Sequence, residues 1–436
     1  MSDPLSRLTT TDHHFTLPLC HAEGAAQELK DQQISVYARE VRAREPDSEH
    51  RPWLVYLQGG PGYGAPRPSD LSGWLAVAVT RFRVLLLDQR GTGRSTRLDA
   101  TSLARLSGPE QQADYLSCFR ADAIVADAEA IRAQLSPGVP WTILGQSFGG
   151  FCALTYLSHA PAGLHGAMIT GGIPPVGVAV DAVYKATYAR VLERNARFHQ
   201  RYPDDAARLD AIVAYLEHHR VTLPGGSELT AQVLQLLGLG FGFSDGMEPV
   251  HYLLEDAFIE GPQGPELSFN FLHGVEQLLP FDTNLLFSIL HESIYMDGDT
   301  AGGASNWAAA RVRESFPQFD VSGQRPLHFT GEMVFPWMFE TFTRLRPLAA
   351  AADILAKRDQ WGPLYDEAAL ASNTVPVVAA IFEQDMYVER AFSEAVAARI
   401  PNFHTWVTPD WDHNALRVDP QGQVFTHLLT LLDQHA

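Results

Sequence analysis

The sequence predicts an α/β protein: a mostly parallel central sheet flanked by helices, with an inserted, mainly helical cap domain. Three observations carry this. Apolar runs at residues 53–57, 84–87 and 141–144 have the composition of strands buried on both faces. They alternate with stretches of helical periodicity, the mark of a parallel sheet built by crossovers. From residue 178 to about 345 that rhythm gives way to helical patterns broken by aromatic and glycine-rich loops, which predicts an insertion.

Phe15–Leu19 and Ile34–Val41 alternate with the strand period and predict an N-terminal hairpin. Trp53–Leu57 predicts a buried strand running into Gln58-Gly-Gly-Pro-Gly-Tyr-Gly64. That loop lacks the Gly-Lys-Ser/Thr ending of a phosphate cradle and reads better as an oxyanion loop, where glycines let a backbone N–H face a substrate oxygen. A second strand, Arg83–Asp88, enters the polar loop Gln89-Arg-Gly-Thr-Gly-Arg-Ser95. Ala121–Leu135 has helical spacing and stops at Ser136-Pro-Gly138.

Trp141–Leu144 then leads to Gly145-Gln-Ser-Phe-Gly149 and a buried helix pattern over 151–157. Strand, G-x-S-x-G and helix is the context of a nucleophile elbow. Gly145, Gly149 and Gly150 keep the crowded turn free of side chains. Beyond Ile173-Pro-Pro175, helices are expected at 182–202 and 206–219, with loops at Gly238–Phe243 and Asp297–Asn306. The core resumes with strands at Val375–Ile381 and His404–Thr408 and a closing helix at Val424–Leu432. The expected division is 1–177 for the first part of the core, hairpin included, 178–345 for the helical cap and 346–436 for the second part.

The chain has 436 residues, 46% of them hydrophobic and 19% charged, enough for a sizeable core. A net charge of −19 disfavours nucleic acid and anionic membrane as partners. Three cysteines are too few for a disulfide framework, and the N-terminus lacks a signal-peptide pattern, so a cytoplasmic protein is expected. No apolar run reaches the roughly 20 residues of a membrane span. No His-Glu-x-x-His occurs, and the adjacent pairs His13-His14 and His218-His219 point apart on regular structure. Neither a metal nor a cofactor is expected.

A serine hydroxyl needs a base to take its proton, and that base needs an anion to fix its tautomer. On an elbow scaffold of the α/β-hydrolase type the chain order is serine, acid, histidine, the last two in loops after late strands. Ser147, Asp385 and His413 fit that order. Glu383, Asp410 and Asp412 compete with Asp385 for the acid's place. The N–H of Phe148 and one from the Gly59-Gly60 turn would hold the oxyanion.

Gln58-Gly-Gly-Pro-Gly62, Asp88-Gln-Arg-Gly-Thr-Gly-Arg-Ser95 and Gly145-Gln-Ser-Phe-Gly-Gly150 together resemble the proline iminopeptidases (prolyl aminopeptidases), serine peptidases of the α/β-hydrolase fold. The length, Gly331-Glu-Met-Val-Phe-Pro-Trp337 and Asp385-Met-Tyr-Val388 resemble the larger subgroup of that family. Gln58 departs from the family's usual histidine. The resemblance assigns the loop's oxyanion N–H to Gly60. It also implies removal of N-terminal proline from peptides with a free amine, with hydroxyproline and alanine as further candidates. By motif it maps the cap's amine-binding glutamates onto Glu332 and Glu292. Phe148, Tyr295, Phe335 and Trp337 are candidates for the proline-ring pocket or for core packing. Arg90 and Arg94 are expected to tie their loop to nearby carbonyls or carboxylates. Two other readings remain open: an esterase or amidase without free-amine specificity, and a non-catalytic binding protein of the same fold.

Overall fold

Residues alternate across each central strand, so one set of side chains meets one helical layer and the other set meets a second. Val55, Leu57, Ile143, Ala167 and Ala379 face the cluster that includes the helices Ala121–Leu135 and Phe148–His159. Leu54, Tyr56, Leu144, Met168 and Val378 face Gly73–Ala78 and Gln423–His435. These contacts are described by a computed structural model for residues 4–22, 24–298, 303–323 and 325–435. The extreme N-terminus (residues 1–3) and residues 299–302 of the expected Asp297–Asn306 loop lie outside the described residues.

The sheet has eight strands: β1 (Leu8–Pro18), β2 (Gln33–Ala43), β3 (Trp53–Leu57), β4 (Arg83–Asp88), β5 (Trp141–Gln146), β6 (Leu164–Thr170), β7 (Val377–Phe382) and β8 (Phe403–Thr408). Their order is β1-β2-β4-β3-β5-β6-β7-β8. The hairpin β1–β2 is antiparallel and joins β4 antiparallel; every later pairing is parallel. Because Leu57 pairs with Gly145, Gln146 with Thr170 and Thr170 with Ala380, the strands end in step along one edge. Reactive groups of parallel sheets gather at that edge.

Between β6 and β7 the chain makes a long excursion led by two helices, Val180–Arg201 and Asp205–His218. Three differences from the sequence expectation stand out. β6 was not anticipated, since His165 and Gly166 interrupt its apolar run. The expected loop at Gly238–Phe243 is largely a 3₁₀ helix, Leu236–Gly242. The excursion also carries two small antiparallel hairpins beside its helices, Val221–Thr222 with Glu228–Leu229 and Phe258–Gly261 with Gly264–Leu267. Among the described residues, no helix is long and apolar enough to cross a membrane.

Candidate active site

Ser147 follows β5 directly, at φ 53° and ψ −123°, a conformation that L-residues rarely hold. Packing enforces it. Ser147 N–H donates to the Thr170 carbonyl at 3.0 Å, and its own carbonyl accepts from Gly150 N–H at 2.7 Å. The helix Phe148–His159 is buried from Phe148 to Ser158, so the turn cannot relax outward. A Cβ at Gly149 would collide with the Leu57 carbonyl oxygen, which fixes how closely this helix meets β3.

Asp385 lies three residues past β7 and His413 five past β8. Nδ1–H of His413 donates to Asp385 Oδ2 at 2.8 Å. The other oxygen, Oδ1, accepts the amides of Tyr387 and Val388 at 2.9 and 3.1 Å. The carboxylate is therefore held on both sides, and Nε2 of the imidazole is left as the acceptor. Burial disfavours charge on His413, but the charge and hydrogen bond of Asp385 outweigh it, and its pKa is raised. Ser147 and His413 line the same cavity of about 810 Å³; among the described residues no hydrogen bond yet joins them. Of the rival acids, Asp412 pairs with Arg194 at 2.6 Å and Glu383 with Arg390 at 3.2 Å.

The glycine-rich loop after β3 borders the serine, since a Cβ on Gly59 would sit 2.9 Å from Ser147 Cβ. Among the described residues, neither the Gly60 nor the Phe148 amide donates to a backbone carbonyl outside its own element. Phe148 opens its helix, where amides lack intrahelical acceptors. The loop after β4 braces this arrangement. Buried Asp88 accepts the amides of Ala65 and Arg94 at 2.9 and 2.7 Å and pairs with Arg67. Fully buried Arg90 binds Asp127 through Nε at 2.8 Å and also donates to the carbonyls of Cys118 and Leu19. Arg94 donates to Asp12 at 2.6 Å. The octapeptide braces the glycine-rich loop after β3.

Glu332 reaches the cavity from the excursion, with 18% of its side chain exposed there. Burial, with a smaller push from Asp385 against a pull from His413, raises its pKa to about 8. Tyr63, Tyr184, Tyr295 and Tyr387 all feel its charge. His291, 1% exposed, brings Nε2 to 3.9 Å from Glu332 Oε2, and burial lowers the imidazole pKa to about 4.

Glu292 is not brought into this cavity. Its two oxygens accept the amides of Ala308 and Ala309, each at 3.0 Å, at the start of the helix Ala308–Arg313. Each oxygen thus has a backbone partner. Nor do Phe148, Tyr295, Phe335 or Trp337 line it: Phe148 and Phe335 are buried, Tyr295 packs edge-on against Phe151, and Trp337 stacks on Phe335. The aromatic lining near the serine comes from Tyr63, Phe243, Phe287 and Tyr387. Tyr63 and Tyr387 sit inside motifs quoted above, whereas Phe287 carries no sequence signal. Among the described residues, no cluster of His, Cys, Asp or Glu has metal-site geometry.

The α/β-hydrolase fold model matches residues 52–420. The chain is 49% identical over 419 residues to a proline iminopeptidase of Aeromonas sobria, covering 96% of this chain and 95% of that protein. It is 33% identical over 421 residues to the proline iminopeptidase aneH of Aspergillus aculeatus, covering 95% and 92%. Among solved structures it is similar to a proline iminopeptidase of Mycobacterium smegmatis, with TM-score 0.43 and 16% identity, covering 97% of this chain and 98% of that one.

Proposed function

The chain belongs to the proline iminopeptidases of the α/β-hydrolase fold, serine hydrolases that release N-terminal proline, and we propose that Ser147, His413 and Asp385 carry out that reaction here. The observation behind the proposal is a half-buried carboxylate, Glu332, in the same cavity as the elbow serine and the Asp385-held imidazole. A hydrolase acting on neutral acyl groups has no use for such a carboxylate, whereas a substrate with a secondary ammonium needs one.

In this reading Glu332 pairs with the ammonium of the N-terminal proline and sets its carbonyl over Ser147. As Ser147 Oγ attacks, Nε2 of His413 takes its proton, and the Gly60 and Phe148 amides hold the oxyanion. The imidazolium, steadied by Asp385, hands the proton to the departing peptide nitrogen, leaving a prolyl ester on Ser147. Water, deprotonated by His413, then attacks the ester and frees proline. Glu292 serves indirectly, anchoring the helix Ala308–Arg313. The free thiols of Cys20, Cys118 and Cys152 support a reducing, cytoplasmic setting.

The test is labelling with an organophosphonate probe followed by peptide mapping. The adduct is expected on Ser147 in step with loss of proline β-naphthylamide turnover, and Ser147→Ala should be inactive and unlabelled. Turnover surviving in Ser147→Ala would refute the mechanism.

A further inference from the structure

The cavity is larger than a single prolyl residue requires. At about 810 Å³ it lies toward the top of the roughly 300–1,000 Å³ typical of sites for whole drug-sized ligands. Its lining includes Ser147, Gln58, Trp74, Leu75 and Leu416 from the core, whereas Glu332 comes from the excursion. Tyr56 and Trp74 stack in this wall with ring centroids 4.9 Å apart. Trp74, Leu75 and Leu416 offer apolar surface for a side chain among polar neighbours such as Ser72, Arg417 and Asp419.

Gln58 is a polar lining residue tied to that wall through Tyr56, and it precedes Gly59, where a Cβ would sit 2.9 Å from Ser147 Cβ. The Tyr56 hydroxyl donates to its Oε1 at 2.7 Å, and Gln89 Nε2 donates to its backbone carbonyl at 3.1 Å. Burial raises the pKa of the Tyr56 phenol, so it stays a donor throughout the working pH range. With Oε1 so occupied, the two N–H donors of the carboxamide remain. Among the described residues, none of the protein's own acceptors takes them, and Gln58 lines the cavity half-buried.

We propose that the space bounded by Gln58, Trp74, Leu75 and Leu416 is a subsite for the leaving peptide. In it the Gln58 carboxamide donates to the carbonyl of the residue after proline, and the apolar wall receives that residue's side chain. The proposal rests on the proline-releasing reading above, and it selects peptides with an apolar second residue over single-residue amides.

Two substrates separate the subsite from the chemistry. Proline β-naphthylamide has no carbonyl beyond the scissile bond; a Pro-Leu amide does. In Gln58→Leu the ratio of kcat/KM on Pro-Leu amide to that on the naphthylamide is expected to fall by roughly tenfold, the effect of one lost hydrogen bond. Equal losses on both would make Gln58 part of the oxyanion loop's support and overturn the subsite, as would no loss on the peptide. Should Gln58→Leu fail to fold, the parent enzyme still decides. It should prefer Pro-Leu amide over proline isoamylamide, which keeps the side chain but lacks the carbonyl, and equal rates would overturn the proposal. A parent enzyme inactive on every proline substrate would instead defeat the functional reading.

Discussion

The imidazole of His413 donates from Nδ1 to Asp385 Oδ2 at 2.8 Å, with 4% of the histidine and 2% of the aspartate exposed. Two residues 28 apart in sequence thus form one unit, delivered by neighbouring parallel strands whose ends are in register. Asp385 spends its second oxygen on two local amides, so it cannot swing away from the histidine without leaving those amides bare.

Asp385→Asn keeps the shape but places a donor against Nδ1, favouring the wrong tautomer. kcat for proline β-naphthylamide is expected to fall by roughly 10⁴-fold with little change in KM. Steady-state kinetics on the purified variant check this, with circular dichroism to verify the fold.

Two ascending limbs are expected in kcat/KM against pH. His413 must be neutral to accept the serine proton, and its raised pKa moves that limb above the ordinary value of 6.5. Glu332 must be charged to pair with the ammonium, and its pKa of about 8 sets a second limb there. In Glu332→Gln the limb near 8 should vanish. The His413 limb should remain. A profile flat above pH 6 would contradict both assignments.

Glu292→Ala removes the acceptor of two buried amides, and thermal or urea unfolding should report a loss of about 1–3 kcal/mol. KM of the folded fraction should stay near the parent value. A rise in KM matching that of Glu332→Gln would return Glu292 to the amine site.

The contrast between these two glutamates shows what the sequence makes legible. The expectation of Ser147, Asp385 and His413 rests on each following a short apolar run, since strand ends are where an α/β sheet does chemistry, and the structure puts His413 on Asp385 and in one cavity with Ser147. Glu332 and Glu292 were both mapped by motif, and nothing local separates them. Glu292 is claimed by Ala308 and Ala309, amides 16 and 17 residues away that no periodicity connects to it. Of the two alternatives for the aromatics, pocket lining or core packing, packing holds, for a related reason. Phe148 adjoins the nucleophile in sequence, but the first turn of a buried helix sends its ring to Phe151, while the cavity wall is assembled from Tyr63, Phe243, Phe287 and Tyr387 on four separate segments. β6 was hidden by His165 and Gly166, whose neighbours still pair with β5 and β7.

The amine requirement is tested most directly by the ratio of kcat/KM for proline β-naphthylamide to that for its N-acetylated form, in the parent enzyme and in Glu332→Gln. The parent is expected to favour the free amine strongly, and the variant to lose that preference by roughly two orders of magnitude, the scale of a buried charge left without its partner. A parent enzyme that cleaves both forms alike, or a variant that keeps the parent's preference, would contradict the assignment of Glu332 as the group that receives the substrate's charged end.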